Sequence, residues 1–99
     1  MIPSRAEVAT AAAGIRCSDT TLTLDLADGR QLSVPLSWYP RLVHATAVER
    51  DSWELLGRGE GIRWSALDED ILVVDLLDGR RSNESRASLE RWLAGRSAG

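Results

Sequence analysis

Between residues 13 and 34 apolar and polar positions alternate almost without interruption. Ala13, Ile15 and Cys17 fall on one side of a first segment. Leu22, Leu24 and Leu26 then alternate with Thr21, Thr23 and Asp25, and Leu32 and Val34 continue the rhythm. A period of two is that of a half-buried strand. Asp19-Thr20 can turn the chain between the first two segments. Asp28-Gly29 is a hairpin signal, because a two-residue turn needs positive φ. The pattern predicts a three-stranded antiparallel meander with one apolar face.

Pro35 ends the pairing, since it has no N–H to give. In "SWYPRLVHAT" the period changes: Trp38, Leu42 and Ala45 fall at helical spacing, with Ser37 as N-cap. Thr46-Ala47-Val48-Glu49 is a T-x-x-E capping box and predicts a second short helix over 47–53. Gly57, Gly59 and Gly61 break any helix, and Ile62 and Trp64 alternate around Arg63, which reads as a glycine turn entering one short strand.

"LVVDLLDGR" resembles the earlier "LTLDLADGR", but "RSNESRA" after it has no apolar alternation for a partner strand. With acids at 68–70 suiting a helix start, Ile71, Val74 and Leu77 at i, i+3, i+6 and Gly79 past the end, the spacing predicts a helix over 71–77. The likeness of the two strings is then coincidental. Leu89, Trp92 and Leu93 form one stripe of a C-terminal amphipathic helix closed by Gly95. The expected fold is α+β: the meander plus a short additional strand, several short helices packed on one face, and the C-terminal helix. Residues 1–10 are read as a flexible lead-in, 11–95 as a single domain and 96–99 as a tail.

Composition narrows the function classes. Ninety-nine residues with 43% hydrophobic and 27% charged positions describe one ordinary globular domain. The net charge of −3 gives no long-range pull on a phosphate backbone. All twelve cations are arginine; GC-rich coding favours Arg with Ala and Gly, and arginine forks also suit flat interfaces. Cys17 is alone, so neither an internal disulfide nor a thiolate metal site is expected. "MIPSRAEVATAAAG" is too weakly apolar for a signal peptide, and no run approaches ~18 apolar residues, so a reducing cytoplasm is the expected compartment and no membrane a partner.

Candidate chemistry is sparse. "GRGEG" is followed by strand-like residues and contains Glu60, which repels phosphate, so it reads as a turn rather than a phosphate cradle. Asp68-Glu69-Asp70 lacks the alternate spacing and distant glutamate of a calcium loop. His44 is the single histidine, and general acid–base work needs a partner within hydrogen-bond reach. No G-x-S-x-G, H-x-x-x-H or CxxC occurs. No catalytic residue, metal site or cofactor is therefore expected.

The aromatic set says more, with four Trp, one Tyr and no Phe. Burying one Trp, ~200 Å² at ~25 cal/mol per Å², stabilises by about 5 kcal/mol before entropy is subtracted. Trp53 and Trp92 are expected inside, and Trp38 and Trp64, beside arginines and a proline, half exposed. Interfaces are enriched in Trp, Tyr and Arg. A protein-binding patch is accordingly expected at Trp38, Tyr39, Arg41, Arg63 and Trp64, with Asp68, Glu69 and Asp70 at its rim.

Taken together, Asp28-Gly29-Arg30, Pro35-Leu36, Trp38 to Leu42, Ala45-Thr46, Gly59 to Ile62, Trp64, Leu67 to Ile71 and Leu76-Leu77 make the chain, from about Ile15 to Leu93, resemble the small bacterial proteins of domain of unknown function 2442. The resemblance implies a compact α+β fold. Some relatives carry a C-terminal helix-turn-helix; the chain stops before such a domain, so direct nucleic-acid binding is not implied. It also implies a neighbouring-gene partner of domain of unknown function 4160, in pairs suspected of toxin–antitoxin behaviour. Where relatives usually have His before Trp64, this chain has Arg63.

The function expected is a non-enzymatic protein-interaction module of a bacterial gene pair, antitoxin-like or regulatory. Two alternatives come from other classes: a metal-dependent or hydrolytic enzyme using the 68–70 acids and His44, and a mobile-element-borne inhibitor of a defence complex. A symmetric homodimer is another use for the aromatic corner.

Overall fold

The structure is a computed structural model and describes residues 11–98; the expected lead-in at 1–10 lies outside the described residues. Strands β1 (Ala12–Cys17), β2 (Thr21–Leu26) and β3 (Gln31–Pro35) form an antiparallel sheet in the order β1-β2-β3. Leu22, Leu24 and Leu26 are buried on its inner face while Thr21, Thr23 and Asp25 lie on the other, as alternation requires.

Two details of the meander differ from expectation. A bulge between Ala12 and Gly14 inserts one residue, so Ala12 is buried and Ala13 exposed. The second hairpin has a three-residue loop, not two: Leu26 and Arg30 face each other, and Gly29 takes φ 93° at its end. The Asp28 carboxylate accepts from the Arg30 backbone N–H and from its Nε, at 3.1 and 2.7 Å.

After a 3₁₀ turn at Leu36–Trp38 come α1 (Pro40–Val43) and α2 (Ala47–Asp51). Ser37 is not the cap of α1: Tyr39 holds that position and Pro40 starts the helix, where its missing N–H costs nothing. The capping box of α2 is fully formed, with the Glu49 N–H donating to the Thr46 hydroxyl and the Thr46 N–H to the Glu49 carboxylate.

The second half holds a whole second sheet where one strand was expected. β4 (Glu54–Leu56), β5 (Gly61–Trp64) and β6 (Glu69–Leu72) pair antiparallel in that order. The acids at 68–70 therefore belong to the β5–β6 hairpin, with Asp68 at φ 50°, and not to a helix start. Helix α3 (Val73–Leu77) begins two residues later than expected and buries Val73 and Leu76, leaving Val74 and Leu77 exposed. Gly79, at φ 75°, does lie just past its end. The two "DGR" strings thus close different elements.

Helix α4 (Arg86–Ala98) runs through Gly95 instead of stopping there. The core joins both sheets and the short helices, with Leu22, Leu24, Leu42, Ile62, Trp64 and Leu67 completely enclosed. Trp53 and Trp92, expected inside, are half-buried against it.

Candidate functional site

The corner "SWYPRL" spends its side chains on the protein itself. The Trp38 carbonyl accepts the Ser82 N–H at 3.0 Å. The Tyr39 hydroxyl donates to the Arg80 carbonyl at 3.0 Å, and burial, followed by Asp75 and Glu69, pushes that phenol up to about 12. Arg41 donates to Glu84 through Nε and Nη2, and its Nη1 donates to the Leu67 carbonyl at 2.9 Å. Three corner residues thereby fasten the segment 80–84 to the fold. Its Arg81 guanidinium in turn lies 5.0 Å from the centre of the half-buried Trp38 ring.

This fastening leaves a groove of ≈ 530 Å³ between the segment and β6. One wall is all of β6, Glu69 to Leu72; the other is Arg80, Arg81, Ser82 and Asn83, with Tyr39 and Asp75 completing the lining. β6 is an edge strand. The Val73 N–H bonds the Glu60 carbonyl, which sets the phase of the ladder: Ile62–Ile71 and Trp64–Glu69 are the hydrogen-bonded pairs. The N–H and C=O of Asp70 and the N–H of Leu72 consequently face away from β5, beside the groove, while the Leu72 carbonyl, at the N-cap of α3, opens the helix ladder. Leu72 is 49% exposed, and Val74 and Leu77 are exposed on α3.

Electrostatics single out Glu69. Its carboxyl is half-buried and has no hydrogen-bond or ion-pair partner among the described residues. Burial pushes it up to about 7; Arg41 opposes that, while Glu84, Asp70 and Asp68 add to it. Arg41 does not neutralise Glu69 because Glu84 and two carbonyls already occupy its donors.

Of the expected patch, Tyr39, Glu69 and Asp70 line the groove. Trp64 does not belong to an exposed surface: it is completely buried, and its Nε1 donates to the Arg50 carbonyl at 3.0 Å. Arg63 sits opposite Asp70 on the sheet and holds Asp70 and Asp68 at 2.7 and 3.3 Å. His44 is exposed at the end of α1, outside the groove lining. Burial pushes the Cys17 thiol up to about 11, away from nucleophilic use at neutral pH. Among the described residues no group of three or more His, Cys, Asp or Glu could hold a metal ion, and no helix is long and apolar enough to cross a membrane. Sequence reasoning missed Leu72 and Asp75, which fall inside the expected helix, and 80–83, which show no apolar alternation.

Fold and groove define a small α+β domain of two three-stranded antiparallel sheets with a C-terminal helix. The family described as "Protein of unknown function (DUF2442)" matches residues 12–82, and the chain belongs to it. The crystal structure of a protein of unknown function from Rhodospirillum rubrum is similar at a TM-score of 0.65 and 26% identity, over 78% of this chain and 93% of that one. The solution NMR structure of an uncharacterized protein from Chromobacterium violaceum shares the fold at a TM-score of 0.62 and 23% identity, over 82% of this chain and 75% of that one. No curated protein matches the chain.

Proposed function

We propose that this chain is a non-enzymatic protein-interaction module, one member of a bacterial gene pair with an antitoxin-like or regulatory role, and that it takes its partner along the free edge of β6. The observation that carries this reading is an edge strand lining a groove, with the Asp70 N–H and C=O and the Leu72 N–H turned away from β5 and the Leu72 side chain exposed. Unpaired edge groups are a template for an added strand. Arg41, Tyr39 and Trp64, by contrast, serve the fold, so the contact surface lies beside the aromatic corner and not on it.

The enzymatic alternative has less support. His44 stands outside the groove lining, and Arg63 occupies Asp68 and Asp70. An inhibitor of a defence complex would be a special case of the same binding role.

The test is co-purification of the product of the neighbouring gene with the parent chain and with Leu72→Pro. Leu72 has φ −91°, close to what proline accepts, and its N–H is not used by β5, so the variant keeps the fold. Loss of the partner with an unchanged circular dichroism spectrum supports the edge. Full retention by both Leu72→Pro and Asp70→Pro would overturn it.

A further inference from the structure

The groove has a chemistry as well as a shape. Asp70 is paired with Arg63, Asp75 with Arg80 at 3.3 Å, and Glu84 with Arg41. Glu69 alone among the lining carboxylates has no cation of its own within the described residues. On the opposite wall Arg81 has no carboxylate partner among the described residues either, but it is exposed and already stacked on Trp38. An exposed pair there adds little, whereas a half-hydrated carboxylate gains a full counter-ion.

Resting on the edge-strand reading above, we propose that the partner segment is an extended strand carrying an arginine or lysine whose cation seats on the Glu69 carboxylate. The ladder phase fixes where that side chain falls. An incoming strand would bond to both backbone groups of Asp70 and to the Leu72 N–H, which makes its position opposite Glu69 a non-hydrogen-bonded one. Facing Cβ atoms at such positions are about 4.5–5.5 Å apart, and both side chains point to one face. Two residues along, the incoming side chain meets Ile71 and must be apolar. A second copy of this chain is a poor occupant, because antiparallel pairing of β6 with β6 sets apolar Ile71 or Val73 opposite Glu69 and supplies no cation.

The experiment is selection of a displayed library of random nine-residue peptides on the whole chain, followed by fluorescence anisotropy of the winners. Enrichment of Arg or Lys at one position supports the proposal. So do about tenfold weaker binding to Glu69→Gln and a switch to Asp or Glu at that position on Glu69→Lys. Winners that bind Glu69→Lys as tightly as the parent, yet fail on Leu72→Pro, would overturn the cation and leave the edge. Winners indifferent to both Leu72→Pro and Asp70→Pro, or no winners at all, would overturn both. A dimer in sedimentation that Leu72→Pro dissociates would replace the partner strand with a second copy.

Discussion

Arg41 grips Glu84 with Nε and Nη2, at 2.9 and 2.6 Å, across forty-three positions of chain. Both side chains are largely withdrawn from water, and the guanidinium also lies 5.1 Å from the Trp92 ring. Removing one member strands the other charge in a poorly solvated place. Arg41→Ala and Glu84→Gln are each expected to destabilise by about 3 kcal/mol in urea unfolding. Arg41→Lys should rescue little, because an ammonium lacks the fork that reaches carboxylate and carbonyl together. A partner-binding defect in Arg41→Ala alone would therefore report on stability first.

Trp64 carries a second expectation. Its indole is fully enclosed and satisfies the Arg50 carbonyl. Trp64→Phe removes that donor and some volume, at a cost of about 2 kcal/mol by denaturant unfolding. Trp64→Ala should cost about 3–5 kcal/mol.

Two glutamates give stability opposite pH dependences. The Glu69 carboxyl, pushed by burial from 4.5 to about 7, keeps its proton in the folded chain after the unfolded chain has released it. Its destabilising effect begins near 4.5 and is complete above about 7. Glu69→Gln should accordingly unfold later than the parent at alkaline pH and lose that advantage in acid. Glu49 is the reverse: hydrogen bonds from Arg96, then the Thr46 N–H, lower it to about 2. Its stabilisation is present above 4.5 and disappears as pH falls toward about 2. Arg96→Gln should flatten that acid limb in a thermal-unfolding series.

Glycines of similar φ separate strain from crowding. Gly29, at φ 93°, has open space around a would-be Cβ, so Gly29→Ala should cost about 1 kcal/mol of backbone strain. At Gly59, φ 90°, a Cβ would stand 2.3 Å from the Ala12 carbonyl oxygen, where the Gly59 carbonyl itself accepts the Ala12 N–H. Gly59→Ala should cost about 3 kcal/mol or more by the same unfolding assay, since the two sheets are joined there.

The residues alone determined whatever rests on near neighbours. Leu22, Leu24 and Leu26 announce a strand because alternate side chains share a face, and Thr46 with Glu49 announces a cap three residues long. Gly79 past α3 follows the same local logic. β4 escaped notice because three residues are too few to show a period, and only pairing with β5 makes them a strand. Trp64 looked half exposed beside Arg63, yet it shares the inner face of β5 with Ile62, and its indole N–H meets the Arg50 carbonyl fourteen residues away. Segment 80–84 shows no apolar alternation; Trp38, Tyr39 and Arg41 give it a position through bonds spanning some forty residues. Those bonds hold the wall of the groove, and Glu69 has no counter-ion among the described residues while the Arg41 donors sit on Glu84 and two carbonyls. Local periodicity encodes elements; competition among distant charges and edges, settled in three dimensions, decided the site.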